Sequence, residues 1–161
     1  MMEIRKATLN DLDAITALEA ACFPEAEAAS RESFEKRLKV FADRFWLMWD
    51  GDRLVSMVNG MVTDQEELVD EMFADASIHQ PEGAWQMIFG VATHPKYQRR
   101  GLAAQVLERA IADVKAEGRR GLILTCKDFR IHYYAKFGFV SEGVSVSEHG
   151  GAKWYQMRLE F

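Results

Sequence analysis

The pattern of apolar and polar positions is clearest between Met87 and Ala116. Met87-Ile88-Phe89-Gly90-Val91-Ala92-Thr93 is a short apolar run closed by His94-Pro95. A proline holds the residue before it extended, so the run predicts a buried strand with its exit at His94. From Leu102 the period changes: Leu102, Val106, Leu107, Ala110, Ile111 and Val114 share one helical face, and Gly118 ends that helix. Leu122-Ile123-Leu124-Thr125-Cys126 is a second apolar run. A strand, a crossover helix and a strand predict a parallel pair joined right-handedly.

The flanking segments supply shorter elements. Glu3 to Ala7 reads as a first strand, and Asn10 or Asp11 caps a helix whose apolar positions are Leu12, Ile15, Leu18 and Ala21. Cys22-Phe23-Pro24 breaks it. Ser30 opens a second helix through about Val40, with Phe34, Leu38 and Phe41 inward. Phe45 to Trp49 and Arg53 to Val62, joined at Asp50-Gly51, predict a hairpin. Asp64 to Glu71 holds five acids in eight residues, which reads as a solvated helix face. Asp128 caps a helix from Phe129 to Phe137 that Gly138 stops, leaving Phe129, Tyr133 and Phe137 on one stripe. Phe139 to Ser141 and Lys153 to Glu160 close the sheet, the latter with strict alternation.

Composition narrows the class. One domain over residues 1–161 is the expectation, since 161 residues with 48% hydrophobic and 28% charged positions suffice for one core. No apolar run nears the ~20 residues of a membrane span, and the N-terminal segment lacks an apolar stretch of signal type, so a cytoplasmic protein without a membrane partner is expected. A net charge of −5 argues against general nucleic-acid binding, and it mildly suits a cationic substrate. Cys22 and Cys126 are too few and too distant for a disulfide framework, and no histidine pair has ligand spacing, so no metal is expected.

The chemistry sits in the loop between strand and long helix. Gln98-Arg99-Arg100-Gly101-Leu102-Ala103 places a glycine where the chain turns and two arginines beside it. The first helical amides, from Arg99 to Ala104, lack partners within the helix, whose dipole favours an anion at that end. This is a phosphate site in outline. It lacks the patterns of a P-loop and of a dinucleotide fingerprint.

The Gln/Arg-x-x-Gly-x-Gly/Ala pattern, Gln98 to Ala103, resembles the acyl-CoA diphosphate loop of the GCN5-related N-acetyltransferases (GNAT). Tyr134-Ala135-Lys136-Phe137-Gly138-Phe139 resembles that family's Tyr-x-x-x-Gly-Phe segment at the right distance. Asp50 to Val55, Glu67-Leu68, His79 to Gly83 and Cys126-Lys127-Asp128 are similar to the arylalkylamine (serotonin) N-acetyltransferase-like branch. The resemblance implies an α/β (α+β) fold: a mostly antiparallel mixed sheet, a splayed central parallel strand pair, and helices on both faces. It implies acetyl-CoA as co-substrate, with Arg99, Arg100, Gly101, Leu102, Ala103 and Ala104 on the diphosphate. The backbone of Val91, Ala92 and Thr93 pairs with the pantetheine arm, and the Val91 amide is a candidate donor to the thioester oxygen. Phe23 and Pro24 become acceptor-wall residues.

N-acetylation of a primary amine also needs a proton for the departing thiol. Tyr134, whose ordinary pKa near 10 keeps the phenol protonated, is the candidate general acid. The base is open. The branch's two strand histidines align with Met87 and Phe89, which accept no proton; these two line an apolar pocket or belong to the core. Gln86, Glu25, a water wire or an amine arriving neutral remain as alternatives. The expected function is acetyl-CoA-dependent acetylation of a small (aryl)alkylamine by direct attack, the protein being a monomer or homodimer. Acetylation of a protein N-terminus or lysine, and a non-catalytic acyl-CoA-binding module, are the rival readings.

Overall fold

The predicted apolar runs become strands, but they divide between two sheets. The structure, a computed structural model, describes residues 2–161. In chain order the elements are β1 (Met2–Lys6), α1 (Leu12–Cys22), α2 (Arg31–Phe41), β2 (Phe45–Asp50), β3 (Arg53–Asn59), β4 (Val62–Thr63) and α3 (Asp70–Ala74). Then follow β5 (Trp85–Ile88), β6 (Gly90–Thr93), α4 (Leu102–Ala116), β7 (Gly121–Cys126), α5 (Ile131–Ala135), β8 (Val140–Val144) and β9 (Tyr155–Glu160). The chain forms two compact units, one of residues up to Gly60 with Gly90–Ala110, the other of Met61–Phe89 with Ile111–Phe161.

The first unit carries an antiparallel sheet in the order β1-β2-β3-β6. Helices α1 and α2 pack on one another, and α1 packs on β3 and β6. Ile15, Leu18, Phe34, Leu38 and Phe41 are buried as the helical spacing requires, and Phe45, Leu47 and Met57 share the sheet face on which Phe34 and Phe41 meet Phe45. Phe45 meets the Phe34 ring edge-on at 6.1 Å and the Phe41 ring stacked at 6.0 Å. Ser30 caps α2 by accepting the Ser33 amide. Asp11 stands at the cap of α1 but makes no cap bond. Its carboxylate takes the Thr8 amide and a two-pronged pair from Arg5 instead.

The second unit carries a mixed sheet in the order β4-β5-β7-β9-β8, with β5 and β7 parallel from Trp85↔Gly121 to Ile88↔Leu124. That pair is the expected one. Gly121 lies so close to β9 that an added Cβ would fall 1.9 Å from the Leu159 carbonyl oxygen. Gly121→Ala is therefore expected to cost about 1–3 kcal/mol, read as a lowered denaturation midpoint.

Several expectations need correction. The run from Met87 to Thr93 is two strands: β5 pairs with β7 up to Ile88, and from Gly90 the chain pairs with β3. The second hairpin strand also stops early, at Asn59, and β4 joins the other sheet. An unbroken apolar run looks the same whichever partner it pairs with. Residues 64–69 are loop, with a helix only from Asp70. Side-chain acceptors satisfy its backbone: Gln80 Oε1 takes the Asp64 amide, Thr63 Oγ1 takes the Gln65 amide, and Gln156 Oε1 takes the Leu68 amide. The predicted helix 129–137 shrinks to a 3-10 turn at Asp128–Arg130 and the short α5, without a side-chain cap from Asp128. Phe129 is exposed and leaves the predicted stripe. Alternation in β9 is imperfect, because the Gln156 amide is buried to serve Leu68 and Glu142. Among the described residues no helix is long and apolar enough to cross a membrane.

Candidate functional site

The loop before α4 is built by a sequence of small restraints. His94 Nδ1 accepts the Lys96 amide, opening a 3-10 turn at Pro95–Tyr97. The Tyr97 hydroxyl donates to Asp50 Oδ2 at 2.8 Å, pinning the loop to the β2–β3 hairpin. Gln98 Nε2 reaches back to the Thr93 carbonyl at 3.2 Å. Arg99 and Gly101 then adopt left-handed backbone, at φ 65° and 74°. For the arginine this is an uncommon and mildly strained geometry. The first helical bond runs from the Gln105 amide to the Gly101 carbonyl. Residues Leu102, Ala103 and Ala104 are thus in the first turn, where amides have no carbonyl to bond within the helix.

A left-handed turn leading into a fifteen-residue helix collects amides into a concavity for an anion. Arg99 and Arg100 are exposed beside it, and the Arg100 guanidinium lies 5.1 Å from the Tyr97 ring centroid. The arrangement fits a diphosphate through main-chain donors, with the arginines as exposed auxiliaries.

Strand β6 is the edge of its sheet. The His94 amide donates to the Val55 carbonyl of β3, so alternation turns the Ala92 groups toward β3 and those of Val91 and Thr93 outward. The outward Val91 amide is what an extended ligand adding to this edge would meet. The Thr93 carbonyl is already engaged by the Cys22 thiol at 3.2 Å, as well as by Gln98. Phe23 and Pro24 follow α1 at once. Phe23 is half-buried and extended, and the Pro24 carbonyl accepts the Glu27 and Ala28 amides to form a tight turn.

Tyr134 belongs to the other unit. Its ring lies 5.1 Å from Tyr133 and 6.2 Å from Phe139, both edge-on. Burial, reinforced by Tyr133 and Cys126, pushes its pKa above the ordinary tyrosine value. Cys126 donates to Met157 Sδ at 3.6 Å, and burial pushes its pKa up to about 11. The thiol form is therefore the one present at neutral pH. Ellman's reagent is expected to leave Cys126 untouched in the folded protein; rapid labelling would reopen an acyl-cysteine route through it.

Met87 is fully buried, whereas Phe89 is half-buried against Phe73 at 4.7 Å. Gln86 is fully buried, and its Nε2 donates to the carbonyl of its own neighbour Met87 at 2.7 Å and to that of Met61 at 3.4 Å. Glu25 is exposed in the α1–α2 link. Of the histidines, His79 accepts the Val62 amide and His132 is exposed. His149 stacks on Phe73 at 4.6 Å.

Sequence reasoning missed a buried polar group in the first unit. Glu19, Arg37 and Asn59 are 7%, 4% and 1% exposed. The signal was present: Glu19 follows Ile15 by four positions, and Arg37 sits between Phe34 and Phe41 on the apolar side of α2. A charged residue on an apolar stripe is rarely buried without a partner.

The family model for the acetyltransferase (GNAT) domain matches residues 3–141. Serotonin N-acetyltransferase of Mesocricetus auratus is 28% identical over 107 residues, 66% of this chain and 50% of that enzyme. The chain therefore spans about half the length of this curated relative. The loading GNATL domain of CurA from Lyngbya majuscula superposes with a TM-score of 0.86 at 15% identity, covering 99% of this chain and 98% of that one. A GNAT family acetyltransferase from Brucella melitensis in complex with acetyl-CoA gives 0.65 at 16% identity, covering 100% and 88%. At such identities these two likenesses establish fold only.

Proposed function

We propose, for a chain that belongs to the acetyltransferase (GNAT) domain family, that all 161 residues act as one acetyl-CoA-dependent N-acetyltransferase domain on a small primary amine, an arylalkylamine above all. The observation that carries this reading is the first turn of α4 behind the left-handed residues Arg99 and Gly101. Acetyl-CoA supplies an acetyl group activated as a thioester. Main-chain donors of Gly101, Leu102, Ala103 and Ala104 bind its diphosphate, with Arg99 and Arg100 adding charge that is attenuated by solvent. Val91, outward on β6, orients the acyl arm through its amide, flanked by Ala92 and Thr93.

Phe23 and Pro24 offer apolar surface to the amine's side chain. Tyr134 holds a proton at Oη throughout neutral pH. It gives this proton to the thiolate sulfur as the amine's C–N bond forms and the C–S bond breaks, and the proton lost by the amine returns the phenolate to phenol. Its raised pKa makes it firm in retaining that proton, so transfer follows the build-up of negative charge and does not precede it. The likeness to serotonin N-acetyltransferase supports an amine with a flat apolar side chain.

The test is thiol release from acetyl-CoA with a panel of arylalkylamines, aliphatic amines and a peptide with a free N-terminus, the products identified by mass. An acetylated small amine supports the reading. Acetylated peptide alone, or thiol release without an acetylated product, overturns it.

A further inference from the structure

The buried group in the first unit has a connectivity that a simple ion pair does not need. Glu19 lies in the last turn of α1, and its Oε2 accepts the Ala29 amide at 2.9 Å. Ala29 closes the link that begins at Phe23 and Pro24. The other carboxylate oxygen faces the start of β6, 4.0 Å from where a Gly90 Cβ would stand. Asn59, paired with Gly90 across the sheet, has its Nδ2 3.9 Å from the same point and its Oδ1 3.4 Å from Arg37 Nη1. Arg37 rests on the Phe34 ring at 5.2 Å, and burial lowers its pKa to about 10 against the field of Glu19, so it stays charged at neutral pH. One turn beyond Glu19, Cys22 bonds the Thr93 carbonyl at the far end of β6. The last turn of α1 thus bonds the link and the far end of the edge strand, and lies beside the start of that strand.

Ion pairs buried this deeply add little net stability, because desolvating two charges offsets their attraction. Stability alone therefore gives weak grounds for burying Glu19 and Arg37, opposite charges whose fields act on one another in this core. A carboxylate that accepts a backbone amide fixes that backbone more firmly than a neutral acceptor, and here the backbone is the link bearing Phe23 and Pro24.

We propose that Glu19 is a positioning residue for acceptor recognition: by holding Ala29 it sets the Phe23–Pro24 wall relative to β6, so the Michaelis constant for the amine depends on it while acetyl-CoA binding does not. The proposal rests on the acetyltransferase reading above for its kinetic part only.

Two double variants test it without stranding a buried charge. Glu19→Gln with Arg37→Met keeps an acceptor oxygen for Ala29; Glu19→Leu with Arg37→Met removes it. The first is expected to leave the amine KM within about threefold of the parent. The second is expected to raise it roughly tenfold or more, with kcat and the acetyl-CoA Kd nearly unchanged, and to speed hydrogen exchange at the Ala29 amide by about the same factor. Equal amine KM in the two variants, or a loss falling on acetyl-CoA Kd, overturns the role. If the parent protein acetylates no amine, the acetyltransferase reading has failed, and Ala29 exchange decides the latch by itself. Equal exchange in both variants refutes it.

Discussion

Replacing Tyr134 by phenylalanine is expected to lower kcat by about 10²- to 10⁴-fold while leaving the acetyl-CoA Kd nearly unchanged. Phenylalanine keeps the ring that meets Tyr133 at 5.1 Å and Phe139 at 6.2 Å, so packing survives and only the hydroxyl is lost. Loss confined to kcat is the mark of a group used in the transition state and not in ground-state binding. The pH dependence follows from the direction of the shift. Burial raises the folded-state pKa above that of an unfolded tyrosine, so between the two the native state holds a proton that the unfolded chain has released. The associated stability is complete below about pH 10 and is lost as the pH rises through the folded pKa. Tyr134→Phe should therefore be less sensitive to alkali than the parent, seen as a shallower fall of the denaturation midpoint above pH 10. Equal turnover in the two proteins removes Tyr134 from the mechanism.

How far the sequence showed this fold depends on what each signal measures. Helical spacing located α4 and its buried positions Leu102, Val106, Leu107, Ala110 and Val114, because one-sided burial writes a period into the chain. The parallel β5–β7 pair was legible for a related reason: a strand, helix and strand in that order leave few alternatives. Pairing partners were not legible. Phe89 interrupts a run of apolar residues without any polar signal, yet the chain changes sheets there. Backbone conformation was half legible. Gly101 announces a left-handed turn, whereas Arg99 carries a Cβ and gives no such hint.

The site was legible in its local parts and opaque in its long-range ones. The proposed diphosphate loop is contiguous, so six residues describe it. Glu19, Ala29, Arg37, Asn59 and Gly90 are joined only by folding, and each alone reads as a helix surface or a strand end. The same holds for Cys22, whose thiol is set against Thr93 across seventy-one positions. Such groups become visible when burial exposes a polar residue that its local pattern does not require.

Gly101→Pro is expected to reduce acetyl-CoA affinity by more than about 100-fold. Proline fixes φ near −65°, whereas Gly101 stands at 74°, so the turn that aims the α4 amides is lost along with the residue's own amide. The Gly101 carbonyl also accepts the first helical bond, from Gln105, and a displaced turn would fray the donors of Leu102, Ala103 and Ala104. A milder change separates binding from folding. Gly101→Ala adds a Cβ with nothing within 4 Å, so its cost is confined to the left-handed backbone, about 1–2 kcal/mol. A cost of that size shifts the denaturation midpoint by only a few degrees and leaves the protein folded. If the mutated turn relaxes away from left-handed geometry, affinity falls about tenfold. Calorimetry with acetyl-CoA and with acetyl-pantetheine, which lacks the diphosphate, locates the effect. Both variants should weaken the first ligand and leave the second alone, since only the first carries the anion that the turn was built to hold. Wild-type affinity for acetyl-CoA in Gly101→Pro would end the assignment of this loop and move the diphosphate site elsewhere on the chain.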